Sequence, residues 1–138
     1  MLVWRIAHES AEHANFPAGP YACSDSLPPA VNQNERLNEM FESHCDREHP
    51  SPYNPASTLG GIARHERCGF DSRESLYQWF ANYTEALDDA GFCVFVYDLP
   101  DHAVRIGTFG QVVFDKYEAI ERKREPLDLS PAQLPLFA

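Results

Sequence analysis

The sequence predicts an α+β domain: a small, mainly antiparallel sheet, two principal helices and a flexible C-terminal tail. Three observations point to it. Leu76, Trp79, Phe80, Tyr83 and Leu87 recur at helical spacing and form one apolar stripe. Phe92-Cys93-Val94-Phe95-Val96-Tyr97 follows as an unbroken run of β-branched and aromatic residues, the composition of a buried strand. Pro100-Asp101-His102 and Gly110 then divide the next stretch into two short strands, residues 103–109 and 111–114.

In chain order, Leu2-Val3-Trp4-Arg5-Ile6-Ala7-His8 is the first strand, and its two faces differ so little that it suits the middle of a sheet. Residues 9–16 are polar and fit either a loop or a short helix. Pro17-Ala18-Gly19-Pro20-Tyr21 is a turn, with proline fixing φ and glycine free to reverse the chain. Residues 34–45 carry the first helical pattern, with Leu37, Met40 and Phe41 on one face. His49-Pro50-Ser51-Pro52-Tyr53-Asn54-Pro55 forbids regular structure, because three prolines remove donors and restrict the residues before them. The second helix starts after Cys68, where either Asp71, with Glu74 completing a capping box, or Ser72 can cap it, and Gly91 stops it. Residues 117–124 read as a short helix, since Lys123 and Arg124 suit a helix C-terminus. Pro126, Pro131 and Pro135 then punctuate a segment with little periodicity, so the folded domain is expected over 1–125 and the tail over 126–138.

A chain of 138 residues with 43% hydrophobic content is long enough for one domain with its own core. Met1-Leu2-Val3-Trp4-Arg5-Ile6 is too short and too soon interrupted for an export signal or a membrane span. A cytoplasmic protein with reduced thiols is therefore expected. The formal charge of −10 argues against direct nucleic-acid binding, which needs a basic face to displace counterions. It suits docking on a basic protein surface that normally holds DNA or RNA, and equally suits plain solubility. Between residues 71 and 101, seven acids (Asp71, Glu74, Glu85, Asp88, Asp89, Asp98 and Asp101) face Arg73 alone. Glu85, Asp88 and Asp89 are the partner-binding candidates among them; the alternative is an ordinary solvated face.

Two constellations could carry chemistry. Cys45, His49, His65 and Cys68 present Cys/His pairs at a loop separation compatible with tetrahedral zinc, although Cys68 also fits the core beside Phe70. Arg5 or His8 on the first strand, Gly19-Pro20-Tyr21 in the following loop and Gln111 on a late strand resemble the layout of ADP-ribosyltransferases. That resemblance implies NAD as cofactor, with Arg5 or His8 binding it, Tyr21 stacking on nicotinamide and Gln111 orienting the acceptor. Val113 stands where that family places an acid. Other nucleophilic chemistry finds no support: Cys93 lies in the most apolar strand, where burial raises a thiol's pKa, and Gly60-Gly61 lacks the Lys-Ser/Thr of a phosphate loop.

Gln133-Leu134-Pro135-Leu136-Phe137 closes the chain and resembles the peptide by which bacterial polymerases and repair factors dock on the DNA polymerase sliding clamp. The resemblance implies that Gln133 hydrogen-bonds in one subsite, Leu134 crosses the groove, and Leu136 and Phe137 fill a hydrophobic pocket. The alternative is that Leu134, Leu136 and Phe137 fold back over their own domain. Gly19-Pro20-Tyr21, His49-Pro50-Ser51-Pro52, Cys68-Gly69-Phe70, Trp79-Phe80 and Gln111-Val112-Val113-Phe114 together look similar to small bacteriophage and prophage proteins. Such genomes encode acidic proteins that block host nucleic-acid machines, anti-CRISPR proteins among them. The resemblance therefore implies an accessory protein that binds a bacterial complex at its nucleic-acid-binding surface and needs no cofactor.

Overall fold

A computed structural model describes residues 1–22, 24–54 and 57–129. Strand β1 (Leu2–His8) is followed by a small hairpin of β2 (Glu12–His13) and β3 (Phe16–Pro17), then by helices α1 (Pro29–Asn32) and α2 (Glu35–Ser43). Strand β4 (Glu66–Phe70) leads into helices α3 (Arg73–Trp79) and α4 (Thr84–Asp89). Strands β5 (Phe92–Asp98), β6 (Val104–Ile106), β7 (Gln111–Asp115) and β8 (Ile120–Glu125) complete the chain. Six strands form one sheet in the order β6-β7-β4-β1-β5-β8, and every pair is antiparallel. The α+β class read from the sequence is the class observed, with β1 in the interior of the sheet.

The pleat sorts the core into two layers. Ile6, Phe70, Val94 and Val96 face Leu37, Met40, Leu76, Trp79, Phe80 and Leu87 of the helices. Val3, Ala7, Phe95, Tyr97, Val112 and Phe114 fill the opposite face, which Phe16 and Val104 help to cover. Both faces of β1 and β5 are buried, so these strands read as continuous apolar runs.

Several local readings are corrected. The apolar stripe over residues 76–87 belongs to two helices, because the chain breaks after Phe80 and Asn82 takes a left-handed conformation (φ 78°) that asparagine tolerates. The stripe still faces the sheet. Ser72 is the cap, accepting from the Ser75 amide at 3.1 Å, while the Asp71 amide is bound to the Gly110 carbonyl. Strand β4 was not expected: it is short and holds Gly69, yet a Cβ there would overlap Val3 and crowd Phe114, so glycine is what lets β4 close on the core. The strand expected over 103–109 is only three residues long. The helix expected over 117–124 is one 3₁₀ turn followed by edge strand β8, whose charged residues suit a solvated edge and whose backbone completes the β5 ladder. The packed body also continues beyond residue 125, since Leu127 is buried among the helix-side core residues.

The segment after the proline-rich loop is tied to the sheet by an arginine and by the Thr58 hydroxyl, which donates to the Ile106 carbonyl. Arg105 on β6 pairs with the buried Glu66 carboxylate through two nitrogens (2.8 and 2.9 Å) and donates to the carbonyls of Leu59 and Gly61. This pairing holds the Glu66 carboxyl below its ordinary pKa. Arg105→Ala would leave the buried Glu66 without its ion-pair partner, with only the Ala63 amide still donating to it. The expected loss in chemical denaturation is roughly 1–3 kcal/mol, less than for a fully buried pair because Arg105 is itself half in solvent. Arg105→Lys, which keeps the charge but not the fork, should fall between the two.

Candidate functional site

A cluster of rings joins the start of the chain to the helices. The loop after β3 brings Tyr21 against Phe41 of α2 and Phe80 after α3. The Tyr21 hydroxyl accepts from Trp79 Nε1 at 3.1 Å and makes a short hydrogen bond with His44 Nδ1. His44 caps α2 and stacks on His49, with centroids 3.9 Å apart and planes 8° from parallel. His49 Nδ1 faces Asp46 Oδ1 at 2.8 Å and its Nε2 faces the Trp79 carbonyl at 2.9 Å. Both ring nitrogens of His49 are thus engaged in hydrogen bonds within the protein. Burial, and then the neighbouring His49, push the His44 pKa down to about 4, so His44 is neutral at pH 7. Burial likewise pushes the Tyr21 phenol well above its ordinary value.

Beside this cluster lies a half-open cleft of about 330 Å³, lined by Glu48, His49, Ser75, Gln78, Trp79 and Phe109. Phe109 is the residue that sequence reasoning missed, because it reads as the end of a strand. It occupies instead the tip of the β6–β7 hairpin, closed by a 3.0 Å bond from the Gln111 amide to the Thr108 carbonyl. Phe109 (φ 54°) and Gly110 (φ 78°) are both left-handed, as a type I′ turn requires. The Phe-Gly pair, where Asn-Gly is favoured, was the signal available in the sequence.

The four residues of the transferase layout do not converge. Phe70 pairs in register with both Trp4 and Gln111, so Gln111 shares Trp4's face of the sheet and Arg5 projects from the other. Arg5 is buried (7% exposed) and donates to the carbonyls of Cys68 and Pro17. His8 is enclosed: its Nε2 bonds the Ala90 carbonyl at 3.0 Å and its Nδ1 accepts from the Ala11 amide at 3.0 Å. Tyr21 belongs to the ring cluster. The zinc candidates are also dispersed in their bonding. Cys45 is exposed, both His49 nitrogens are engaged, His65 is exposed, and the Cys68 thiol is pushed up by burial in β4. Among the described residues no three His, Cys, Asp or Glu side chains group as metal ligands.

Glu85, Asp88 and Asp89 are exposed on α4, as predicted, and among the described residues none is ion-paired. Helix α2, packed against α4, adds exposed Glu35, Glu39 and Glu42; its Arg36 is held by Glu39 and lies over the Tyr83 ring. Gln133, Leu134, Leu136 and Phe137 lie outside the described residues. Among those described, no helix is long and apolar enough to cross a membrane.

These elements define a small α+β domain with an antiparallel sheet, an acidic helical face and an aromatic cleft at one end. The chain belongs to the bacteriophage T4 Y00F protein family, whose model matches residues 1–128. It is thus a small phage-family protein, in line with the likeness seen in its sequence. The match stops short of Gln133. No curated protein and no solved structure matches the chain.

The His44 environment sets a pH dependence. As pH falls below 6.5 the unfolded chain protonates His44 while the folded chain does not, so stability drops until about pH 4 and then levels off for this group. Thermal unfolding should register a loss of roughly 1–3 kcal/mol over that window. His44→Asn, which keeps a polar partner for Tyr21 but cannot titrate, should flatten it.

Proposed function

We propose that this phage-family protein acts by contact alone: its acidic domain occupies a basic, nucleic-acid-binding surface of a bacterial complex, as an anti-CRISPR-type inhibitor would. Gln133, Leu134, Leu136 and Phe137 tether it to the sliding clamp. The supporting observation is where the acids stand. Asp88 and Asp89 end α4, and Glu42 lies in the last turn of α2, where the helix dipole disfavours negative charge; neither helix has a base in its last turn. Glu35, Glu39 and Glu42 also repel one another at three- and four-residue spacing. Solubility alone needs no carboxylates at these positions. A complementary basic surface gives them a use, neutralising them and steering encounter.

Two experiments test the two contacts. Asp88→Lys plus Asp89→Lys should hold or raise thermal stability while weakening capture of the bacterial target; unchanged affinity at low salt would remove the acidic face from the account. For the tether, purified clamp should retain the parent protein and release the Leu136→Ala, Phe137→Ala double variant. Equal retention of the two would eliminate it.

A further inference from the structure

Phe109 bears two costs that nothing in the fold requires. The residue is 58% exposed, and its backbone is left-handed, a conformation that bulky side chains rarely adopt. Asparagine would fit the same turn without strain, and its small polar side chain suits exposure. The hairpin tip that carries Phe109 is nevertheless held in place. The Gly110 carbonyl accepts from the Asp71 amide at 2.9 Å, and a Cβ on Gly110 would overlap Ser75, so the hairpin tip is seated on the start of α3. Ser75, Gln78 and Trp79 of that helix form one wall of the cleft that Phe109 borders.

We propose that this cleft receives an arginine side chain from the surface of the protein partner. The inference rests on the contact-based function above and adds to it the chemistry of a specific anchor. Phe109 offers an exposed ring face on which a guanidinium can lie, and Glu48 and the Gln78 carbonyl offer acceptors. The charge balance favours a cation. Glu48 is exposed in the lining, and Asp71 and Glu74 are exposed on the adjoining start of α3. The His49 ring that closes the cleft is already bonded to Asp46 on its far nitrogen. Of the nearby arginines, Arg47 adjoins Glu48 in sequence, and Arg73, between Asp71 and Glu74, is paired with Glu125. A desolvated arginine between an aromatic ring and a carboxylate is a common energetic centre of protein interfaces.

The test uses the full chain, ¹⁵N-labelled, titrated with a short blocked peptide containing one arginine and with the same peptide carrying neutral citrulline. The arginine peptide should saturably shift the Trp79 indole signal and the Phe109 and Gly110 amides, and the citrulline peptide should not. Phe109→Asn should weaken the arginine response at least tenfold while keeping or raising the melting temperature. Glu48→Gln should weaken it without unfolding the protein. Equal responses to both peptides, no response to either, or full binding by Phe109→Asn would overturn the inference. So would a single-stranded oligonucleotide that moves the same signals when the arginine peptide does not. Because α4 takes no part in the titration, a failure here leaves the acidic-face reading standing. Failure of charge reversal at Asp88 and Asp89 equally leaves the cleft standing.

Discussion

Arg5 is the residue around which the sheet closes. Its guanidinium is buried at the centre of the interior strand, and the carbonyls of Cys68 and Pro17 receive its protons where a carboxylate would be usual. A buried cation is costly unless its hydrogen bonds are met, and here the two terminal nitrogens are met by carbonyls while Nε has no partner among the described residues. It therefore fixes both chains that supply the carbonyls: β4 beside β1, and the small hairpin whose Phe16 ring lies 5.7 Å from the guanidinium carbon. Gly19 is part of the same constraint, since a Cβ there would meet the Arg5 side chain at 3.0 Å. Burial lowers the Arg5 pKa, but an arginine starts so high that it stays charged. An arginine on a first strand suggested a ligand site; here its partners are the protein's own backbone.

The opposite layer is organised by rings. Trp79 donates to Tyr21, Tyr21 meets His44, and His49 reaches back to the Trp79 carbonyl. The loop after β3, the end of α2 and the end of α3 are thereby locked together with no ion pair fully out of water. Such a network places the floor of the cleft on fixed elements, and the Gly110–Asp71 bond fixes the Phe109 wall. Anchoring pockets built this way lose little entropy when filled.

The fold was legible where composition alone decides structure. Strands β1 and β5 are buried on both faces, so their apolar runs are unambiguous, and the stripe from Leu76 to Leu87 marks the helical face even across its break. Strand β4 was hidden because its central requirement is an absence, the missing side chain of Gly69. Strand β8 was hidden because a solvated edge strand buries almost nothing, and its charges satisfied a helix C-terminus equally well. The acids of α4 could be read from sequence, because an exposed charge is local information. The cleft could not: Glu48, Trp79 and Phe109 come from three separate segments, and His49 reads as a metal ligand in sequence because its bond to the Trp79 carbonyl is tertiary.

The family match ends at residue 128, beside Leu127, which packs in the core, and Tyr77, whose hydroxyl takes the Asp128 amide at 2.9 Å. The matched stretch and the described residues, which end at 129, therefore nearly coincide, and the clamp-like peptide lies beyond both in the sequence. Gln133 stands four residues past Leu129, within about 14 Å of it at full extension. On the reading proposed above, that short reach has a consequence. Two linked contacts reinforce each other, by roughly 10²–10⁴ in apparent affinity, only when both sites fall within the linker's span. A target that sits against the clamp on DNA would gain this factor, and the same target elsewhere would meet the body alone. The tail would then act as a selector of where the acidic domain binds, without altering what its surface recognises.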